Sequence, residues 1–459
     1  MNAIKRNSFF FLFLLSGWLT AQDFSGDWYG LLKVSGMQLS VVFHVNDTEE
    51  GYTATMDSPD QQAFGIPVTQ TLIEKDSIQL KIASAGIVYK GVKDSAGIAG
   101  VFFQAGQFFP LALSSKPSEK EEVLREQEPV GSLPYNTTEV AFENEAEKIT
   151  LKGTLTTPKD VDTYPVAVLI SGSGGQDRNS ELFGHKPFLV LADYLTRQGI
   201  AVLRFDDRGI AESEGEYSSA TTADLATDVA AAVQFLEKDK EHYFSAIGLI
   251  GHSEGGLIAP KVATENKKID FVVLLAAPGI RGKELLLLQK GKIEAASGID
   301  EATIAQSRSV FSGAYDIVLS SKAKEDELTE EIDAYFITKF GPLMPETQRK
   351  ALSKSLSRPW MKSFIRFTPK DYLRKLKCAV LAVNGSLDLQ VPAKENLEAI
   401  RSNLASGKAK EYEIVEVAGL NHLFQEAETG HPSEYGQIEQ TFSPKALQII
   451  GDWIVNHTR

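Results

Sequence analysis

A serine set between glycines is the feature of this sequence best suited to chemistry. The segment reads Gly251-His252-Ser253-Glu254-Gly255, and Gly256 follows it. This is the G-x-S-x-G pattern of a serine on a sharp turn between a strand and a helix. Side chains two positions before and after that serine would collide, so glycine is needed at both places. The pattern predicts that the Ser253 hydroxyl is exposed at the start of a helix, where free N–H groups favour negative charge.

A serine hydroxyl is a weak nucleophile without a base, and His422 is the histidine best placed to be one. It ends the segment Gly419-Leu420-Asn421-His422, directly after a predicted strand. Because the carboxyl ends of parallel strands meet at one edge of a sheet, we expect His422 near Ser253. His252, as the neighbour of Ser253, is expected to point away from it. The other histidines fall in loops, in the N-terminal region, in the C-terminal tail or at the wrong end of a strand: His44, His185, His242, His431 and His457.

Asp388 is the predicted carboxylate that orients the imidazole and stabilises its charged form. It ends the segment Gly385-Ser386-Leu387-Asp388, which again follows a predicted strand. The three residues therefore occur in the order serine, aspartate, histidine along the chain. A second interpretation stays open, in which Asp388 is only the N-cap of the helix that begins near Pro392.

Two backbone N–H groups are predicted to face the negative oxygen that forms when a serine attacks a carbonyl group. One belongs to Glu254, the residue after the serine. The other is assigned to Ser173, with Gly174 as the alternative, in the glycine-rich segment 171–178. The same glycines resemble a phosphate-binding loop, but neither G-x-G-x-x-G nor G-K-[ST] follows, which argues against a nucleotide site.

Alternating strands and helices are predicted to position these residues. Six runs rich in Val, Ile and Leu have the composition of strands covered on both faces: 166–171, 201–205, 246–250, 271–276, 379–383 and 412–417. Two further strands, 138–142 and 149–157, are predicted to form a hairpin before them. Helical spacing between several of the runs indicates a mostly parallel sheet of eight strands.

A long segment, about 281–372, interrupts this alternation, and its residue pattern is typical of helices. We expect it to form a cap over the end of the sheet. Its aromatic residues are expected to divide between the core of the cap and the wall of a pocket: Phe311, Tyr315, Tyr335, Phe336, Trp360 and Phe364.

From about Leu133 to Arg459 the chain resembles an α/β-hydrolase, and within that superfamily it is similar to bacterial esterases and serine-aminopeptidase-like proteins. The resemblance is carried by the segment around Ser253, by Phe205-Asp206-Asp207-Arg208-Gly209, and by the segments that end in Asp388 and His422. Ser171 differs from the histidine that many relatives carry at this position. The expected fold class is α/β, with an eight-stranded, mostly parallel α/β-hydrolase sheet and a helical cap.

The resemblance implies hydrolysis of a carboxylic ester through an acyl-enzyme on Ser253, with His422 as base and Asp388 as its partner. Such acyl transfer needs neither a metal nor an organic cofactor, and the expected partner is a small-molecule ester. A serine peptidase that releases amino acids or short peptides is the alternative, and it requires a carboxylate to hold the substrate amine. A non-enzymatic binding protein on a hydrolase scaffold is the further alternative.

The N-terminal region is predicted to contain an export signal and a small all-β, barrel-like module. Residues 1–21 combine Lys5 and Arg6 with an apolar run and a small-residue end, which is the pattern of a secretory signal peptide. Residues 22–115 show short alternating segments typical of a β-barrel, with a lipocalin-like start. A charged linker, 116–133, precedes the catalytic domain, 134–459. We therefore expect a secreted or periplasmic protein with no membrane insertion after cleavage.

Composition disfavours several classes of function. The 459 residues include 47 Lys and Arg against 61 Asp and Glu, a net charge of −14. Nucleic-acid binding is disfavoured because phosphate backbones need a basic surface. The one cysteine, Cys378, excludes an internal disulfide and a cysteine-rich zinc site.

Overall fold

The computed structural model describes residues 23–34, 37–49, 51–59, 63–104, 107–117 and 125–458. The predicted signal peptide, 1–21, and residues 118–124 of the predicted linker lie outside the described residues. The chain divides into two units, 1–121 and 122–459. In the described ranges, every helix is too short or too polar to cross a lipid bilayer.

Antiparallel strands build the described part of the first unit. They are β1 (Gly26–Val34), β2 (Met37–Thr48), β3 (Gly51–Ser58), β4 (Ala63–Pro67), β5 (Gln70–Glu74), β6 (Ser77–Ile82), β7 (Ile87–Lys93), β8 (Ile98–Gln104) and β9 (Gln107–Leu113). Within each of two sheets, every strand pairs with its neighbour in sequence, in the orders β1-β2-β3-β4 and β5-β6-β7-β8-β9.

Backbone hydrogen bonds join the first strand of this unit to the end of the last. The N–H groups of Tyr29 and Ser114 each donate to the carbonyl oxygen of the other residue, both at 2.8 Å. The side chains of Phe24, Phe43 and Tyr89 are fully buried in the core between the strands. The predicted β-rich N-terminal region is therefore confirmed, and apolar side chains fill the interior between its strands.

The second unit is built on an eight-stranded sheet. Its strands are β10 (Tyr135–Asn144), β11 (Ile149–Pro158), β12 (Thr163–Ile170), β13 (Ala201–Phe205), β14 (Tyr243–His252), β15 (Ile269–Leu275), β16 (Ala379–Gly385) and β17 (Tyr412–Val417). Their order is β10-β11-β13-β12-β14-β15-β16-β17. The β10–β11 and β11–β13 pairs are antiparallel, and the other pairs are parallel. The predicted fold class, with eight mostly parallel strands, is confirmed.

Helices cover both faces of this sheet. One face carries α1 (Pro187–Arg197) and α11 (Pro444–Thr458), and the other carries α2 (Thr222–Lys238), α3 (Gly255–Glu265) and α10 (Ala393–Ala405). Neighbouring strand residues alternate between the two cores, as Val272 and Val273 do in β15. Full burial of such a side chain contributes about 1.5–3 kcal/mol, so the runs that are apolar at every position are explained by burial on both sides.

A helical insertion, α4–α8, separates β15 from β16. It consists of α4 (Gly282–Ala296), α5 (Glu301–Ser320), α6 (Glu325–Phe340), α7 (Glu346–Ser357) and α8 (Pro359–Arg366), and the short helix α9 (Lys370–Leu373) follows it. The insertion has its own core, in which Phe336 is fully buried. A second apolar cluster joins it to the rest of the unit, because Leu285 and Phe364 pack with Leu257 of α3.

Candidate active site

Ser253 lies between β14 and α3, in a turn that only glycines on either side allow. Its φ of +53° falls in the left-handed region, which is strained for a residue with a side chain. A β-carbon at residue 251 would lie 2.1 Å from the Gly255 carbonyl oxygen, and one at residue 255 would lie 2.3 Å from the Ile170 carbonyl oxygen. The two glycines therefore let the turn close tightly and hold Ser253 at the edge of the sheet.

His422 and Asp388 are hydrogen-bonded to each other beyond the ends of β17 and β16. His422 Nδ1 lies 2.8 Å from Asp388 Oδ2, and both side chains are buried. The other carboxylate oxygen accepts the N–H groups of Gln390 and Val391, each at 2.8 Å. Because a carboxylate only accepts hydrogen bonds, His422 donates from Nδ1, and its Nε2 is left free to take up a proton.

The interpretation of Asp388 as a helix N-cap is wrong. Helix α10 begins at Ala393, and its N-cap is Pro392. Asp388 instead closes the tight turn that follows β16, through the two backbone N–H groups described above. Its carboxylate is thereby held rigidly, with one oxygen directed to the imidazole.

A small cavity contains Ser253 and His422. Its volume is about 100 Å³. Its wall comes from loops and strand ends: Gly172, Ser173, Gln176, Ser180, Leu182, Pro187, His252, Ser253, Leu275, Gln390, His422, Leu423, Phe424 and Phe442. Among the described residues, this wall includes no aspartate or glutamate and no residue of the helical insertion.

The aromatic residues of the insertion do not line this cavity, contrary to the expectation for part of them. Four pack in the core of the insertion itself: Phe311, Tyr315, Tyr335 and Phe336. Trp360 and Phe364 stack with ring centres 5.1 Å apart and pack against Leu257. Large aromatic side chains contribute most to stability when they are buried between packed helices. This explains why these rings lie in the apolar contacts of the insertion and not in the cavity wall.

His252 contributes to the site, although the sequence led us to expect that it points away. Its ring lines the cavity, and its Nε2 lies 2.9 Å from the carbonyl oxygen of His422. Since a carbonyl only accepts, His252 donates from Nε2. Burial lowers the pKa of His252 to about 3, and the neighbouring His422 adds to this effect. His252 is therefore neutral and holds the backbone of the residue predicted to be the base.

The glycine-rich segment 171–178 forms the loop after β12 and lies against Ser253. Gly172 lies close to the serine, because a β-carbon at residue 172 would lie 3.1 Å from the Ser253 β-carbon. Ser173, the predicted second N–H donor, lines the cavity beside it. Gly174, the alternative, has a φ of +93°. The structure thus brings the predicted loop and the serine together.

Two carboxylates after β13 hold this loop, and neither was predicted to act there. Asp207 accepts the Ser171 hydroxyl at 2.8 and 3.0 Å and the Gln176 N–H at 2.9 Å. Asp206 accepts the Arg178 N–H at 2.7 Å and pairs with its guanidinium at 2.6 Å. The available signal was their position directly after a strand, at the same sheet edge as the other candidates.

Glu254, at the start of α3, has a backbone N–H predicted to act in the reaction and a buried side chain. It directly follows Ser253 in the chain, which is the position that the predicted N–H donor requires. Its side chain is buried and accepts hydrogen bonds from Thr222 and Trp360. Burial raises the pKa of this carboxyl, and the two hydrogen bonds oppose that rise.

A comparison with protein families identifies the family of this chain. Residues 186–433, more than half of the chain, match the family model described as serine aminopeptidase, S33. The chain belongs to this family. It is accordingly a hydrolase of the α/β-hydrolase fold, and the elements that carry Ser253, Asp388 and His422 all lie inside the matched region.

Several proteins that are similar to this chain are named as esterases. The chain is 33% identical over 128 residues to Esterase EstD of Thermotoga maritima, a match that spans 28% of this chain and 30% of that esterase. An uncharacterized 31.7 kDa protein of Escherichia coli is 23% identical over 58% of this chain and 84% of its own length. Among solved structures, the Pyrococcus furiosus esterase Pf2001 has a TM-score of 0.42 at 17% identity, covering 72% of this chain and 98% of its own. Est1E of Butyrivibrio proteoclasticus has a TM-score of 0.41 at 18% identity, covering 69% and 98%.

Asp207 is expected to make the stability of this hydrolase depend on pH. Burial raises the pKa of Asp207 to about 7, nearby Asp228 and Glu254 add to the rise, and the hydrogen bonds from Gln176 and Ser171 oppose it. Between about pH 4 and pH 7 the folded protein keeps a proton that the unfolded chain has lost, so this contribution to stability is lost as pH rises. From pH 5 to pH 8, Asp207→Asn should gain at least about 1 kcal/mol in unfolding free energy relative to the unsubstituted protein.

Urea unfolding of both proteins at the two pH values measures this difference. Glu398→Gln, on the exposed face of α10, is the control and should follow the pH profile of the unsubstituted protein. Parallel profiles for Asp207→Asn and the unsubstituted protein would contradict the prediction.

Proposed function

We propose that this protein hydrolyses carboxylic esters, with Ser253 as nucleophile, His422 as general base and Asp388 as the partner of His422. The observation that supports this most directly is the 2.8 Å hydrogen bond between His422 Nδ1 and Asp388 Oδ2, at the cavity that also contains Ser253. This bond leaves His422 Nε2 as the acceptor for the proton of the serine hydroxyl.

The reaction proceeds in two stages. Ser253 Oγ attacks the ester carbonyl while His422 takes its proton, and the N–H groups of Glu254 and Ser173 stabilise the negative oxygen. His422 then donates the proton to the leaving alcohol, and the acyl group stays on Ser253. In the second stage, His422 takes a proton from a water molecule, which attacks the acyl group. The bond between the acyl carbon and Ser253 Oγ then breaks, His422 returns its proton to Oγ, and the acid leaves. Asp388 stabilises the imidazolium in both stages.

The cavity favours esters over peptides with a free amino group. Removal of an amino acid from a peptide N-terminus requires a carboxylate that binds the substrate ammonium group, and the cavity wall of described residues contains none. Its volume of about 100 Å³ is also below the usual range of roughly 300–1,000 Å³ for ligand pockets. We therefore propose that the acyl group is short. Esterase EstD, as a relative that is named an esterase, supports the same choice.

Hydrolysis of nitrophenyl acetate, compared with cleavage of an aminoacyl nitroanilide, tests this proposal. We expect kcat/KM for the ester to be at least about a hundredfold higher, because binding a desolvated ammonium group without a partner is costly. Faster cleavage of the anilide would instead support the serine peptidase. If the purified protein turns over neither compound, the non-enzymatic binding protein becomes the better description.

We also propose that the protein is exported and acts as a secreted or periplasmic enzyme. The basis is the order of charged, apolar and small residues in the segment 1–21. Cleavage after Ala21 would leave a chain that begins at Gln22.

A further inference from the structure

The side chain of Glu254 is fully buried beside Ser253 and has no part in the proposed reaction. Its exposed fraction is 1%. Thr222 Oγ1 donates to Oε1 at 2.6 Å, and Trp360 Nε1 donates at 2.9 Å to each carboxylate oxygen. Because the backbone N–H of the same residue is the proposed first donor to the oxyanion, these bonds hold the residue that carries that donor.

The two donors come from separate parts of the unit. Thr222 is the first residue of α2, whose start is fixed by a capping box between Thr221 and Asp224. Trp360 belongs to α8 of the helical insertion. Its indole stacks on Phe364, with ring centres 5.1 Å apart, so the direction of its N–H is fixed by packing. One carboxylate therefore joins the start of α3 to α2 and to the insertion.

The environment of this carboxylate makes both hydrogen bonds important. In the described ranges, Glu254 forms no ion pair with a lysine or arginine, so neutral donors alone satisfy it. A buried carboxylate that loses a donor is left with an uncompensated charge and tends to move toward another partner. Movement of this side chain would displace the backbone at the start of α3, directly after Ser253.

We propose that Glu254 and Trp360 are positioning residues, and that the hydrogen bond between them lets the helical insertion set the direction of the residue-254 N–H. This inference rests on the proposed ester hydrolysis. Among the described residues, the insertion contributes none to the cavity wall, although Gln289 of α4 donates to the wall residue Gln390 at 3.4 Å. The contact that reaches the residue directly after Ser253 is the one between Trp360 and Glu254. When α8 is packed in its observed position, the backbone N–H of residue 254 points at the oxyanion. When α8 is displaced, this N–H can turn away.

Trp360→Phe removes the donor and keeps an aromatic ring at the same place. We expect kcat for nitrophenyl acetate to fall roughly ten- to hundredfold, since a small misplacement of a catalytic donor has an effect of that order. KM should change by less than about threefold, because the oxyanion forms only in the transition state. Melting temperature reports whether the variant is folded.

Inhibition by phenylboronic acid distinguishes a misplaced residue-254 N–H from a general loss of packing in the helical insertion. This compound forms a tetrahedral adduct on a nucleophilic serine and so requires the same N–H donors as the transition state. Its inhibition constant should rise in Trp360→Phe by about the factor by which kcat/KM falls. The inhibition constant of acetate, which is the acid product of this reaction and carries no tetrahedral oxyanion, should change by less than about twofold.

Two further variants complete the test. Tyr335→Phe is the matched control, because it also removes a single donor from an aromatic ring, the hydroxyl that bonds to the Val310 carbonyl at 3.0 Å inside the insertion. It should leave kcat unchanged. Thr222→Val removes the second donor to Glu254 with little change in shape. It should lower kcat as well, and it tests the same carboxylate if Trp360→Phe does not fold.

The outcomes separate this inference from the proposed function. Unchanged kcat and boronic acid inhibition in folded Trp360→Phe, or in Thr222→Val where Trp360→Phe does not fold, would overturn the positioning role and leave ester hydrolysis standing. Equal losses in Trp360→Phe and Tyr335→Phe would overturn it too, because they would show only a loosened insertion. Absence of ester turnover in the unsubstituted protein would overturn the proposed function itself.

Discussion

Replacement of Ser253 by alanine is expected to lower kcat for nitrophenyl acetate by roughly a millionfold. The hydroxyl at this position is the proposed nucleophile, and its loss removes the acyl-enzyme route altogether. The fold should be unaffected, because alanine is smaller and the turn is set by the glycines at 251 and 255. Initial rates of hydrolysis, with melting temperature measured in parallel, check the prediction.

The matched control for this variant is Ser245→Ala. Ser245 lies on β14, the strand that leads to Ser253, but near its opposite end, and its side chain is exposed. This variant should keep the full rate. Labelling with a fluorophosphonate gives a second check, because the mass added to the protein should disappear in Ser253→Ala. Ester turnover that survives in Ser253→Ala would show that the nucleophile is assigned wrongly.

Asp388→Asn is expected to reduce kcat by about 10⁴-fold. The asparagine oxygen can still accept the N–H groups of Gln390 and Val391, which now bond to Oδ1. Its amide nitrogen then faces His422 Nδ1 and donates to it. The imidazole would therefore carry its proton on Nε2, the atom that must accept the proton of Ser253.

A second aspartate–histidine pair in the same unit provides the control. Asp239 Oδ2 lies 2.8 Å from His242 Nδ1, before the start of β14 and away from the cavity. Asp239→Asn makes the same chemical change there and should leave kcat unaltered. KM for nitrophenyl acetate should stay within about threefold in both variants, since substrate contacts are preserved. A loss of less than about tenfold in Asp388→Asn would mean that the carboxylate has no part in orienting the base.

The small cavity has a consequence for the range of substrates. The wall is made of loops after the parallel strands, including Gly172, Leu182 and Phe442, whereas the helical insertion stays outside it. On the proposed function, the acyl group of the ester would occupy this volume of about 100 Å³. Specificity for the acyl group is therefore expected to depend on the strand-end loops, and the insertion is expected to act through Trp360 and Glu254.

Much of the candidate site follows from short stretches of sequence. The turn at Ser253 depends on contacts within five residues and one neighbouring strand, so the glycine spacing was enough to predict it. Asp388 and His422 could be predicted because both directly follow runs with the composition of buried parallel strands. The carboxyl ends of such strands lie at one edge of the sheet. Residues that directly follow these strands in the chain are therefore expected to lie near one another.

Other parts of the site could not be predicted from local patterns. Glu254 was expected to contribute only its backbone, yet its side chain bonds to Trp360, 106 residues further along the chain. Asp207 holds the loop at Ser171, which lies 36 residues before it. His252 was expected to point away, but it donates to the backbone of a residue 170 positions later.

The sequence by itself determined the eight strands of the second unit, the turn at Ser253 and the chain order of the three candidate catalytic residues, because steric limits and burial on two faces act over a few residues. Only the tertiary structure decided the strand order, the hydrogen-bond geometry between Asp388 and His422, and the contacts that the insertion makes with the rest of the unit. These depend on which buried polar groups find partners across the fold. A buried carboxylate must be satisfied by whichever donors the packing brings to it, and no pattern within a single segment contains that information.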